Sequence, residues 1–192
     1  MDGVLVITGG SRGIGRATAL KAAAAGYRVV VNYTSDAAAA DAVVAAIAQA
    51  GGTAMAVQGD VANEADVIRL FAEADAFGPL SGLVNNAGVI DRAMSLVDMS
   101  AERITRLMMV NVVGSLIAAR EAVRRLSTQS GGKGGVIVNL SSRAAELGGA
   151  VGRKAHRDKA SSSAAGMTGK TIPPERTANI GTPSMSTVSP SA

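Results

Sequence analysis

Cysteine is absent from all 192 residues, so neither a disulfide nor a thiolate metal centre can form. With His156 as the sole histidine, a histidine-based zinc site also lacks ligands, and no metal is expected. Aromatic side chains are scarce, two Tyr and two Phe with no Trp, which leaves little on which nucleic-acid bases could stack. No apolar run approaches the roughly 18 residues of a membrane span, and no basic leader precedes Val4-Leu5-Val6-Ile7. A cytoplasmic location without membrane contact is expected. An excess of one charge is missing too: residues 1–150 hold 13 Lys/Arg against 13 Asp/Glu. The net charge of +4 therefore comes from residues 151–192, with 6 basic against 2 acidic side chains and four of the five prolines. Their larger apolar residues are only Val151, Met167, Ile172, Ile180, Met185 and Val188, too few to offset the entropy of ordering. Residues 151–192 are expected to be a disordered basic Ser/Thr/Pro-rich tail, and no nucleic-acid partner is expected.

What is present is a core's worth of apolar residues, 47% of the chain with mean hydropathy +0.25, arranged as one domain over residues 1–150. Short β-branched runs alternate with alanine-rich helical stretches. The pattern predicts a strand at Val4 to Thr8, a helix at Ile14 to Ala25, a strand at Val29 to Tyr33 and a helix from Asp36 to Ala50. It continues with strand Ala54 to Gln58, helix Glu64 to Phe77, strand Leu83-Val84, one long helix from Ala101 to Leu126, and strand Gly135 to Leu140. Strands that are apolar at successive positions imply an α/β fold with a parallel sheet covered on both faces.

Thr8-Gly9-Gly10-Ser11-Arg12-Gly13-Ile14-Gly15 joins the first strand to the first helix. A phosphate needs backbone N–H donors at close range with a helix dipole behind them, and Gly9, Gly13 and Gly15 remove the β-carbons that would block its approach. A dinucleotide such as NAD wants a carboxylate at the end of the second strand for the adenosine ribose. This strand ends instead Val31-Asn32-Tyr33-Thr34-Ser35, and Arg12 sits in the glycine turn. Tyr33 and Thr34 would tolerate a 2′-phosphate and Arg12 could pair with it, so the expected cofactor is NADP rather than NAD.

Gly59-Asp60-Val61 follows the third strand and Asn85-Asn86-Ala87-Gly88 the fourth, both at carboxyl ends where ligands of open α/β sheets collect. Together with the T-G-x-x-x-G-x-G turn, Asn111 in the long helix and Asn139-Leu140-Ser141-Ser142 at strand five, these motifs resemble the short-chain dehydrogenase/reductases. The likeness is strongest to the branch with 3-oxoacyl reductases. It implies a Rossmann-type doubly wound parallel sheet, incomplete at its C-terminal end, and an NADP-dependent oxidoreductase acting on a small carbonyl or alcohol. It assigns the pyrophosphate to Thr8 to Gly15, Ser11 and Ile14 included, the adenine to Asp60 and Val61, and the ribose side to Asn86, Ala87 and Gly88. The same resemblance makes Ser142 the serine that hydrogen-bonds the substrate oxygen and Asn111 the asparagine that orders a water near the catalytic lysine.

The resemblance puts the proton-passing tyrosine at position 155 or 156 and its lysine four residues on, where this chain has Ala155, His156, Lys159 and Ala160. The Tyr-x-x-x-Lys motif is absent. A phenol must be lowered by about 3 units, or roughly 4 kcal/mol, to act at neutral pH, and alanine has no proton to give. His156 and Lys159 could substitute, since imidazole titrates near neutrality unaided. The family pattern stops after Gly149-Ala150, as a shifted reading frame or a graft would make it. Two alternatives to the oxidoreductase follow: a non-catalytic nucleotide-binding or dimerising subunit, and a non-functional translation product. Without further strands the fifth would be an open edge, and without its partner helix the long helix would lose the family's homo-oligomer interface, so marginal stability and aggregation are expected.

Overall fold

All four side chains of the segment Val4–Ile7 are buried, with alternate residues entering two different cores, as a strand covered on both faces requires. This segment, β1, is joined by β2 (Arg28–Tyr33), β3 (Ala54–Gln58), β4 (Leu80–Asn85) and β5 (Val136–Asn139) in one parallel sheet, ordered β3-β2-β1-β4-β5. The computed structural model describes residues 3–92 and 94–142; positions 155–160 and the tail at 151–192 lie outside the described residues.

Helices α1 (Gly13–Ala24) and α2 (Ala37–Gln49) cover one face. Their Ala19, Ala22, Ala40, Val43 and Ile47 pack on Leu5, Ile7, Val29, Val31 and Val84. Helix α3 (Glu64–Phe77) and the helix α5 (Gly114–Leu126) cover the other, setting Leu70, Phe71, Ala118, Ala122 and Leu126 against Val4, Val6, Val30 and Leu83. Each fully buried Val, Leu, Ile or Phe contributes about 1.5–3 kcal/mol. The alanines allow α1 and α2 to lie close to the sheet. The fold is the expected Rossmann-type α/β arrangement.

Ionic contacts add to the packing of α5 on α3. The Glu121 carboxylate, 3% exposed, accepts from Arg120 Nε at 3.2 Å, Arg124 Nη1 at 2.8 Å and Arg125 Nη1 at 3.1 Å. Arg120 reaches on to Glu64 at 2.6 Å and Arg125 to Asp75 at 2.8 Å, both on α3. Burial by itself would raise the Glu121 pKa; hydrogen bonds from Arg125 and Arg120 and the charges of Arg124 and Arg120 outweigh it and hold the group below its ordinary 4.5.

The fourth strand starts at Leu80 rather than Leu83, because Leu80 and Gly82 pair with Val4 and Leu5 across a one-residue bulge. The long helix runs from Ala101 to Leu126, as expected, with a π-helical turn inside it. It comprises α4 (Ala101–Met108), the π-helical turn (Met109–Val113) and α5. Two local contacts accompany the π-helical turn. Asn111 is bonded sideways to Val89, and a β-carbon on Gly114 would lie 2.6 Å from the Val61 carbonyl oxygen, so the helix passes the β3–α3 loop at backbone distance.

Candidate nucleotide-binding site

From β1 the chain order runs one way through β2 to β3 and the other way to β4 and β5, so a crevice opens at the carboxyl end of β1, flanked by the ends of β2 and β4. The turn Thr8 to Gly15 lies there. Gly9 and Gly13 have φ of +61° and +54°, in the left-handed region that favours glycine. Open space faces Gly13, with nothing within 4 Å of a β-carbon built on it, whereas one on Gly15 would meet the Gly9 carbonyl at 2.3 Å and the Asn86 amide at 2.5 Å. Gly13 thus leaves room, while Gly15 lets α1 seat against the turn.

The first bond of α1 runs from Arg16 N to the Arg12 carbonyl, so the amides of Gly13, Ile14 and Gly15 precede the ladder. Its first turn carries no acidic side chain, and Arg12, extended at the N-cap, makes no capping bond. The positive end of the helix dipole is therefore uncompensated by its own residues. Ile14 stands 66% exposed, Arg12 is exposed and Ser11 is half-buried.

Three side chains fix this turn to neighbouring strands. Thr8 Oγ1 accepts from the amides of Asn86 and Ala87, both at 3.0 Å. Asn86 Nδ2 donates back to the carbonyls of Thr8 at 2.8 Å and Gly9 at 2.9 Å. Asn32, 2% exposed, accepts from Gly9 N at 3.2 Å and donates to the carbonyls of Val57 and Gly59. Sequence reasoning missed Asn32 as a site-building residue. Its signal was a lone polar side chain inside the apolar run Val29 to Tyr33.

At the end of β2, Tyr33 is half-buried, Thr34 is exposed, and no carboxylate terminates the strand. The next acid, Asp36, is engaged in capping α2, accepting from Ala39 N at 2.9 Å. After β3, Asp60 accepts from Ala62 N at 2.9 Å, while Val61, 5% exposed, points into the core beneath α3 and α5. Asn86, Ala87 and Gly88 follow β4, and Asn111 closes the loop behind them: Oδ1 accepts from Val89 N at 2.8 Å and Nδ2 donates to the Val89 carbonyl at 2.9 Å. The side chain of Asn111 is thus occupied by backbone. Asn85 Nδ2 links β4 to Asn139 Oδ1 at 2.9 Å and to the Ser115 carbonyl at 3.0 Å, and Ser142 is exposed three residues beyond β5. These residues lie at or just beyond the carboxyl ends of the strands, with Asn111 reaching the loop after β4 from the π-helical turn.

A parallel sheet wound in both directions from β1, with a glycine turn feeding a helix at the switch point, defines an α/β protein of the Rossmann class. Within that class the family is specific: a model described as short chain dehydrogenase matches residues 3–154, and the chain belongs to this oxidoreductase family. It is 47% identical over 146 residues to an uncharacterized oxidoreductase of Escherichia coli, covering 76% of this chain and 59% of the relative. It is 42% identical to a 3-oxoacyl-[acyl-carrier-protein] reductase of Synechocystis, covering 76% of this chain and 58% of that protein. Among solved structures it resembles a short chain dehydrogenase from Burkholderia cenocepacia in complex with NADP, at TM-score 0.68 and 42% identity, over 74% of this chain and 56% of that one. The chain thus spans less than three-fifths of the length of these relatives. Among the described residues no helix is long and apolar enough to cross a membrane.

Proposed function

We propose that residues 1–150 form an NADP-binding domain of an oxidoreductase acting on a small carbonyl or alcohol. A nicotinamide coenzyme fits the residues present. Gly13 faces space a β-carbon would fill, three backbone amides precede the α1 ladder, and the end of β2 offers Tyr33 and Thr34 rather than an acid. In this reading the turn Gly9 to Gly15, with Ser11 and Ile14, holds the pyrophosphate and Arg12 pairs with a 2′-phosphate. Asp60 and the Val61 backbone border the adenine, and Asn86, Ala87 and Gly88 line the ribose side. The coenzyme supplies or takes up a hydride. Ser142 hydrogen-bonds the substrate oxygen, and Asn111 shapes the loop that borders the nicotinamide half.

The observations that carry the cofactor choice are an exposed Arg12 in the glycine turn and a second strand that ends without a carboxylate. Titration of the intrinsic fluorescence of NADPH tests it. Arg12→Ala is expected to weaken NADPH by about tenfold while leaving NADH within about twofold, the worth of one charge-assisted contact. Equal effects on both would refute the 2′-phosphate role.

A second reading is favoured by Ala155 and His156, which stand where the family's proton donor belongs: a nucleotide-binding subunit without its own turnover. Carbonyl-dependent oxidation of NADPH separates the two. Saturable turnover that disappears in His156→Ala would make His156 the substitute acid.

A further inference from the structure

The adenine-side loop is held by more than its own motif. Asp66, in the first turn of α3, accepts the Asp60 amide on Oδ2 at 3.0 Å, and its Oδ1 pairs with Arg69 Nη2 at 3.0 Å. The same Arg69 nitrogen donates to the Gln58 carbonyl at 2.7 Å, and Gln58 Nε2 donates to the Thr34 carbonyl at 3.1 Å. A continuous chain of bonds, Asp60, Asp66, Arg69, Gln58, Thr34, therefore runs along the carboxyl ends of β3 and β2. Asp60 itself has one carboxylate oxygen on Ala62 N and its carbonyl on Asn63 N at 2.9 Å. Gly59 before it is tied on both sides, its amide to the Tyr33 carbonyl at 2.8 Å and its carbonyl to Asn32 at 2.9 Å.

We propose that Asp66, steadied by Arg69, is a positioning residue for purine recognition, acting through Asp60; this rests on the nucleotide reading above. The Arg69 guanidinium pairs with Asp66 Oδ1 and so turns Oδ2 towards the Asp60 amide. With its amide held, Asp60 keeps one orientation, and its remaining carboxylate oxygen accepts from the 6-amino group of adenine. A 6-oxo purine would set acceptor against acceptor there.

The test uses the full chain and two ligands, NADPH and its hypoxanthine analogue. The unaltered protein is expected to prefer NADPH by about tenfold, the value of one hydrogen bond to a charged group. Asp66→Ala should shrink that preference to about twofold, and Asp66→Asn, whose amide oxygen still accepts from Asp60 N–H, should restore most of it. Arg69→Met, on a half-exposed side chain, should shrink it in part, and decides the matter if Asp66→Ala does not fold. A purely structural role would weaken both ligands alike and leave the ratio unchanged. An unchanged ratio in folded Asp66→Ala or Arg69→Met overturns the proposal, as does equal binding of the two purines by the unaltered chain. Failure to bind either ligand would instead overturn the nucleotide reading itself.

Discussion

Gly13 and Gly15 are two residues apart and have opposite reasons for lacking a side chain. At Gly15 a methyl group would collide with the Gly9 carbonyl and the Asn86 amide, both already committed to holding the turn, so Gly15→Ala must displace backbone. At Gly13 a methyl group meets nothing, and the cost is only that of a positive φ in an alanine, roughly 1–2 kcal/mol. Gly15→Ala is therefore expected to lower the urea midpoint by the equivalent of about 3 kcal/mol, the upper range for overpacking. Gly13→Ala should lose NADPH affinity by about tenfold or more, roughly 1.4 kcal/mol, out of proportion to its smaller stability loss. Affinity and stability falling together in both variants would remove the distinction. Asn111 makes the same point about side chains. Its amide matches both polar groups of Val89, so Asn111→Ala releases two bonds worth about 1–3 kcal/mol in total, and the Val89 amide should exchange its hydrogen correspondingly faster.

At the scale of elements, α5 is held to α3 both by Phe71, Ala118, Ala122 and Leu126 and by the arginines around Glu121. Because the folded Glu121 pKa lies below its ordinary 4.5, the folded state binds this proton less readily than the unfolded chain does. Its stabilising contribution is full above that ordinary value and is lost as pH falls through the depressed folded value. Glu121→Gln should thus be less stable than the unaltered protein near pH 7, with the difference narrowing below about pH 4.5. Urea midpoints measured from pH 7 to pH 3 give the answer, and a constant difference across that range would contradict it. The π-helical turn belongs to the same scale: it puts Asn111 on the Val89 backbone while Gly114 slides past Val61.

For the whole molecule, coenzyme binding and folding should be linked. A ligand that binds only the folded state at about 100 times its Kd adds roughly 2.7 kcal/mol, so NADPH is expected to raise the melting temperature by several degrees and NADH by less. No shift with either coenzyme would count against a nucleotide site in this chain. Much of the architecture was legible beforehand because its causes are local. Doubly apolar runs make buried parallel strands, Asp36 and Asn63 begin helices where side-chain caps belong, and glycine at Gly9 and Gly13 permits a turn that other residues resist. The missing Tyr-x-x-x-Lys was equally plain, being a matter of residue identity. The sequence by itself thus determined the α/β class, the family and the glycine turn after the first strand. Only the tertiary structure decided that the helix takes a π-helical turn at Met109–Val113, that Val61 faces the core, that Asn32 ties three strand ends together, and that Asp66 holds Asp60. Those outcomes depend on partners far apart along the chain, 22 residues for Asn111 with Val89 and 78 for Asn86 with Thr8, and no local pattern encodes a hydrogen bond between segments that meet only when the sheet assembles.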